Sequence, residues 1–107
     1  MKARSVIEAG ICGFTTTVDV DCTDYECTVE IQSDCPNMQR YREQLQHVSA
    51  FTEMSYRGGR PLAFETAEKV LPHTACPVPV GIVKAVEVAA ELAFPRDVVI
   101  TVSKVED

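Results

Sequence analysis

Thr15-Thr16-Thr17-Val18-Asp19-Val20-Asp21-Cys22, followed after Thr23-Asp24-Tyr25-Glu26 by Cys27-Thr28-Val29-Glu30-Ile31-Gln32, decides the fold. The first run is rich in β-branched residues and alternates, which is the signature of a half-buried strand. Thr16, Val18, Val20 and Cys22 share one face, and Thr15, Thr17, Asp19 and Asp21 share the other. Residues 23–26 read as a hairpin connection, and the returning strand turns Cys27, Val29 and Ile31 inward. A sheet with one polar face is antiparallel and covered on one side only.

Working outward, Arg4 to Ala9 reads as a short opening strand and Gly10-Ile11-Cys12-Gly13-Phe14 as a tight turn. After the hairpin, Met38, Tyr41, Leu45 and Val48 recur at helical spacing, predicting a first helix over Pro36 to Gln46. Phe51 to Met54 fits a linking turn or a short helix. Arg57-Gly58-Gly59-Arg60-Pro61 is a loop by composition. A second helix is expected over Leu62 to Leu71, stopped by Pro72. The third, Val80 to Phe94, buries Ile82, Val83, Val86, Ala89, Ala90 and Ala93, and Val98 to Lys104 alternates as a closing strand. The expected order is β-β-β-α-α-α-β, a single α+β domain over residues 1–107 with helices on one face of an antiparallel-rich sheet.

A net charge of −6 over 107 residues argues against nucleic acid as a partner, because neutralising phosphates takes clustered Lys and Arg. No apolar run approaches the roughly 20 residues that span a bilayer, so no membrane partner is expected. Met1 to Glu8 lacks the apolar core of an export signal, and a cytoplasmic location is the default. A homodimer is expected for a small domain with exposed sheet edges.

Five cysteines are many for this length. Without an export signal they read as thiols, metal ligands or redox groups rather than a disulfide framework. Cys22 and Cys27 flank the hairpin as cross-strand neighbours and read as packing residues. The other three sit where chemistry is easy. In His73-Thr74-Ala75-Cys76-Pro77-Val78-Pro79, proline belongs to a first helical turn, which puts Cys76 at or beside the N-cap. Free backbone donors and the helix dipole there favour a thiolate and lower its pKa. Ser33-Asp34-Cys35-Pro36 has the same grammar, and Cys12 lies between glycines. If both helices start on one edge of the sheet, Cys12, Cys35, His73 and Cys76 supply three sulfurs and a nitrogen, a ligand set for zinc or iron.

Two other readings stand beside it. Cys76 is the catalytic residue if the chemistry is thiol redox or sulfur transfer, with Cys35 or Cys12 as resolving thiol. Alternatively all three pack as small hydrophobes, since no CxxC pair is present. His47 reads as a surface or capping residue, Asp19, Asp21 and Asp24 as a solvated face, and Arg57 to Arg60 as a plain turn. No nucleophile elbow or dinucleotide-binding glycine pattern occurs, so the sequence leaves open whether the protein is an enzyme.

Cys12-Gly13-Phe14, Ser33-Asp34-Cys35-Pro36 and the run His73 to Glu91 resemble a family of short uncharacterised proteins of anaerobic archaea and bacteria, a domain of unknown function. That resemblance implies no activity. Locally, Cys76-Pro77-Val78-Pro79 with Lys84 downstream is similar to the CPxP motif of the TusA-like sulfur carriers. By that likeness Cys76 bears a persulfide at a helix start. The motif here follows some 75 residues, rather than the first strand as in the carriers, and the Cys35-Pro36 pair is foreign to them.

Overall fold

The structure is a computed structural model describing residues 1–106. Strands β1 (Lys2–Glu8), β2 (Thr15–Thr23) and β3 (Glu26–Ser33) form an antiparallel meander. The β2–β3 register pairs Val18 with Ile31, Val20 with Val29 and Cys22 with Cys27. All six are buried, as the alternation requires. The hairpin closes through Asp24 and Tyr25, both at positive φ (51° and 68°), the backbone of a two-residue type I′ turn. Non-glycine residues are uncommon there. Tyr25 packs its ring against Phe51, with centroids 4.6 Å apart.

Cys22 and Cys27 are more than neighbours. They form a disulfide, with Cα atoms 4.1 Å apart, inside the buried cluster. Reading both as packing thiols therefore captured their burial and missed their bond. Directly opposed inward positions at the last paired rungs of a hairpin leave the two sulfurs facing each other.

Helix α1 (Met38–Gln44) is shorter than the expected Pro36 to Gln46. Residues 36 and 37 form a preceding turn, in which the Met38 N–H donates to the Cys35 carbonyl at 3.0 Å. At the other end Leu45 leaves the helical region, and the Gln46 carbonyl accepts from the Val29 N–H at 2.9 Å. The chain is thus drawn onto the sheet as β4 (His47–Ser49), beside β3. Val48 is buried as expected, but from a strand rather than a helix. A single helical turn, α2 (Ala50–Glu53), follows, and α3 (Leu62–Val70) lies close to its expected bounds.

Helix α4 (Val78–Ala89) covers β1 and β2, while α1 covers β3 and α3 packs between the two helices. All three therefore lie on the apolar face of the sheet. The closest approach is at Gly81. A β-carbon there would stand 2.6 Å from both Cγ1 and Cδ1 of Ile7, and the Ser5 hydroxyl donates to the Gly81 carbonyl at 2.7 Å. Helix α4 ends five residues before the expected Phe94. Glu91 adopts φ 63°, its N–H donates to the Val88 carbonyl, and the Leu92 N–H donates to the Glu87 carbonyl. That pair of bonds is a Schellman stop.

The expected closing strand, Val98 to Lys104, does not form. Residues 93–106 carry no regular structure and are exposed, and the fourth strand is β4 instead. The segment has strand-like alternation but no neighbouring strand to supply hydrogen bonds. The α+β class and the one-sided antiparallel sheet hold.

The Gly81 contact is testable. Gly81→Ala adds about 1 kcal/mol of helix propensity but overpacks Ile7, at a cost of about 1–3 kcal/mol. We expect a net loss of about 1 kcal/mol in urea unfolding, turned into a gain relative to the single variant when Ile7→Ala is combined with it. Strict additivity of the two changes would refute the contact.

Candidate functional site

One edge of the sheet carries the end of β1, the start of β2 and the end of β3. The first residues of α1 and α4 and the exit of α3 gather at the same edge, around a pocket of about 270 Å³. Cys12, Cys35, His73 and Cys76 all line it, together with apolar Ile11, Met38 and Leu71. The segments that precede α1 and α4 thus lie at one end of the sheet together with the Cys12 turn, the condition under which Cys35 and Cys76 come near Cys12.

Each donor is held differently. Ser33 ends β3 opposite Thr16, and the buried Thr16 hydroxyl donates to Ser33 Oγ at 2.7 Å. The same oxygen accepts from the Cys35 N–H at 3.1 Å, fixing the Cys35 backbone to the sheet. His73 and Cys76 share a turn, closed by the Cys76 N–H donating to the His73 carbonyl at 3.4 Å. Cys12 sits in a turn closed by the Gly13 N–H donating to the Gly10 carbonyl at 2.9 Å. Gly10 and Gly13 both take positive φ (86° and 76°), a conformation that suits glycine.

Cys12 is exposed, and Cys35 and Cys76 are half-buried. None is bonded to another cysteine. Among the described residues, no three His, Cys, Asp or Glu side chains lie close enough together to hold a metal ion as the chain stands. The four share a pocket without forming a closed ligand cage.

The expected lowering of the Cys76 pKa is not found. Burial pushes the Cys76 thiol up; a backbone hydrogen bond from Val78 pulls the other way, and the neighbouring Cys35 and Cys12 push it further up. The helix N-cap is Pro77, so Cys76 lies one residue outside the helix. Desolvation outweighs the dipole there. Tyr41, fully buried behind the pocket, has its phenol pushed up by burial first, then by Cys76 and Glu53. Its hydroxyl donates to the Ala63 carbonyl at 2.7 Å and ties α1 to α3.

The chain belongs to the DUF6951 family. The family, described as one of unknown function, matches residues 3–102 and so takes in the whole pocket. No curated protein and no solved structure matches the chain. The DUF6951 match bears out the resemblance to a domain of unknown function.

One supporting residue was missed in the sequence. Glu53 is buried, and its carboxylate accepts from the N–H groups of Leu62 and Ala63 at 2.9 and 2.8 Å, capping α3. The signal was indirect. Pro61 precedes α3 and offers no side-chain acceptor, so the cap had to come from elsewhere.

Three outcomes follow for the thiols. Denatured without reductant, the protein should titrate three thiols, and five after reduction; five in both cases would contradict the disulfide. In the native metal-free protein at neutral pH, exposed Cys12 should alkylate fastest and Cys76 slowest, read by peptide mapping. Because the Cys76 pKa is raised in the fold, its contribution to stability is complete below the unfolded thiol value and is lost as pH rises through the folded value. Alkaline melting should therefore be less steep in Cys76→Ala, and an unchanged slope would contradict the raised pKa.

Proposed function

We propose that the protein binds a soft metal ion, zinc or iron, through Cys12, Cys35 and Cys76 with His73 as the fourth donor. The observation that carries this reading is the convergence of three free thiols, from three separate segments, on one pocket. The disulfide takes Cys22 and Cys27, 4% and 2% exposed, and leaves these three as free thiols, Cys12 exposed and Cys35 and Cys76 half-buried.

The donor set fits such an ion by chemistry, as three sulfurs and an imidazole suit tetrahedral zinc or iron. Mutual repulsion supports it as well. Cys76 resists ionisation partly because Cys35 and Cys12 are near, and a bound cation would favour all three thiolates together. The donors must draw closer together to hold the ion. Cys12 is the exposed member of the set, in a turn flanked by two glycines at positive φ. A cytoplasmic location belongs to the same reading, because ligating thiols must stay reduced, whereas the Cys22–Cys27 disulfide argues for an oxidising compartment.

A second reading, sulfur transfer or thiol redox chemistry at Cys76, draws on one observation. Cys76 is partly accessible just before α4, with a Val78 backbone hydrogen bond favouring its thiolate and Cys35 in the same pocket to resolve it. The upward pKa shift weighs against it.

Native and denaturing intact mass on protein purified without oxygen or chelator separates the two. We expect an excess mass matching a metal that vanishes on denaturation, is lost in Cys35→Ser/Cys76→Ser, and whose chelation lowers the melting temperature. A bare polypeptide mass in both, with melting indifferent to chelator, would sink the metal reading. An added sulfur that survives denaturation, yields to reductant and maps to Cys76 would establish the second reading instead.

A further inference from the structure

We infer that the protein is a strand-exchanged homodimer, in which Val98–Lys104 of each copy adds to the open edge of β1 in the other. The segment has the composition and alternation of a strand, with Val98, Ile100 and Val102 on one side and Val99, Thr101 and Ser103 on the other. It is nonetheless unpaired and in water: Val99, Ile100 and Val102 are 82%, 77% and 89% exposed. A run of β-branched apolar residues left in solvent marks an interaction surface.

The acceptor is β1. The strand order β1-β2-β3-β4 leaves β1 at an edge, hydrogen-bonded to β2 alone. Its backbone donors and acceptors on the far side form a template for another strand. Its inward residues Ala3, Ser5 and Ile7 are only half-buried, unlike their counterparts on β2 and β3. Beside β1, an open groove of about 1100 Å³ is lined by Ala85 and Val88 of α4 and also by the chain's own Leu92 to Val99. A strand with one apolar side fits it, laying Val98, Ile100 and Val102 against α4 and leaving the other side as solvated as the rest of that sheet face. The lengths agree, since β1 has seven residues and so does Val98–Lys104.

A second copy of this chain is the occupant because it brings both missing pieces at once. Each copy has one unpaired strand-like segment and an open β1 edge, and a two-fold exchange pairs the one with the other in both copies at once. After the Schellman stop of α4, Phe94 to Val99 flank the groove of their own chain, and Ile100 and Val102 beyond them stand in solvent, 77% and 89% exposed, on a molecule that extends 50 Å along one axis and 28 and 25 Å along the others.

The test is sedimentation velocity on the full chain after alkylation of its accessible thiols, so that the exposed Cys12 cannot link copies and the Cys22–Cys27 disulfide stays intact, together with amide hydrogen exchange. We expect a particle of twice the 11.8 kDa chain mass, with slow exchange both in Val98–Lys104 and along β1. Ile100→Asp/Val102→Asp should yield a monomer that keeps its helical circular dichroism and loses protection in both segments together. A wild-type monomer would overturn the proposal, including one whose tail is protected by folding onto its own β1. A dimer that survives the double substitution would do the same, as would one that protects the tail but leaves the outer β1 amides exchanging freely, the pattern of tails paired only with each other.

Discussion

Everything in this fold follows from a sheet that is apolar on one side only. Val18, Val20, Val29 and Ile31 point one way, and Thr17, Asp19, Thr28 and Glu30 point the other. Helices that need to bury an apolar stripe have a single surface on which to do so. Helices α1, α3 and α4 therefore crowd together, and the close contact of Gly81 with Ile7 lets α4 sit low enough for Ile82 and Val86 to reach the core. Crowding on one side also brings helix starts and strand ends to a common edge. Three cysteines far apart in sequence meet there without any sequence motif linking them.

The alternating hairpin and the helical apolar spacing were legible because both are local patterns that burial imposes directly. Pro77 marked the start of α4 to within a residue, whereas Pro36 falls in a turn before α1, and that Cys12, Cys35, His73 and Cys76 line one pocket depended on how the sheet places those segments. What could not be read were outcomes decided by a partner elsewhere in the chain. Val48 keeps helical spacing with Tyr41 and Leu45, yet Val29 draws the backbone beside it into the sheet. Glu91 is an ordinary helix former placed at a left-handed stop. The Cys22–Cys27 bond depends on an exact register, which a one-residue slip would abolish.

The Cys76 thiol illustrates competition between two correct principles. A helix start favours a thiolate, and burial disfavours it. Sequence displays the first and conceals the second, because the depth of a side chain depends on Tyr41, Met38 and Leu71, which come from other elements. Here the walls of the pocket win. A thiol held neutral among other thiols is a poor nucleophile, but it is a good ligand in waiting for a cation that compensates the charge of all of them.

Glu53 has a consequence of a different sort. By capping α3 from the single turn of α2, it pins together the two ends of the connection Met54–Pro61. Neither end relies on the length of what lies between. The cost of a longer connection grows only as the logarithm of its length, about 0.6 kcal/mol per doubling. Gly58 and Gly59 stand in open space at its middle, away from the cysteine pocket. This bend is the natural place to graft foreign sequence: a reporter or affinity peptide inserted there would leave β1, the pocket and the C-terminal segment in their native surroundings.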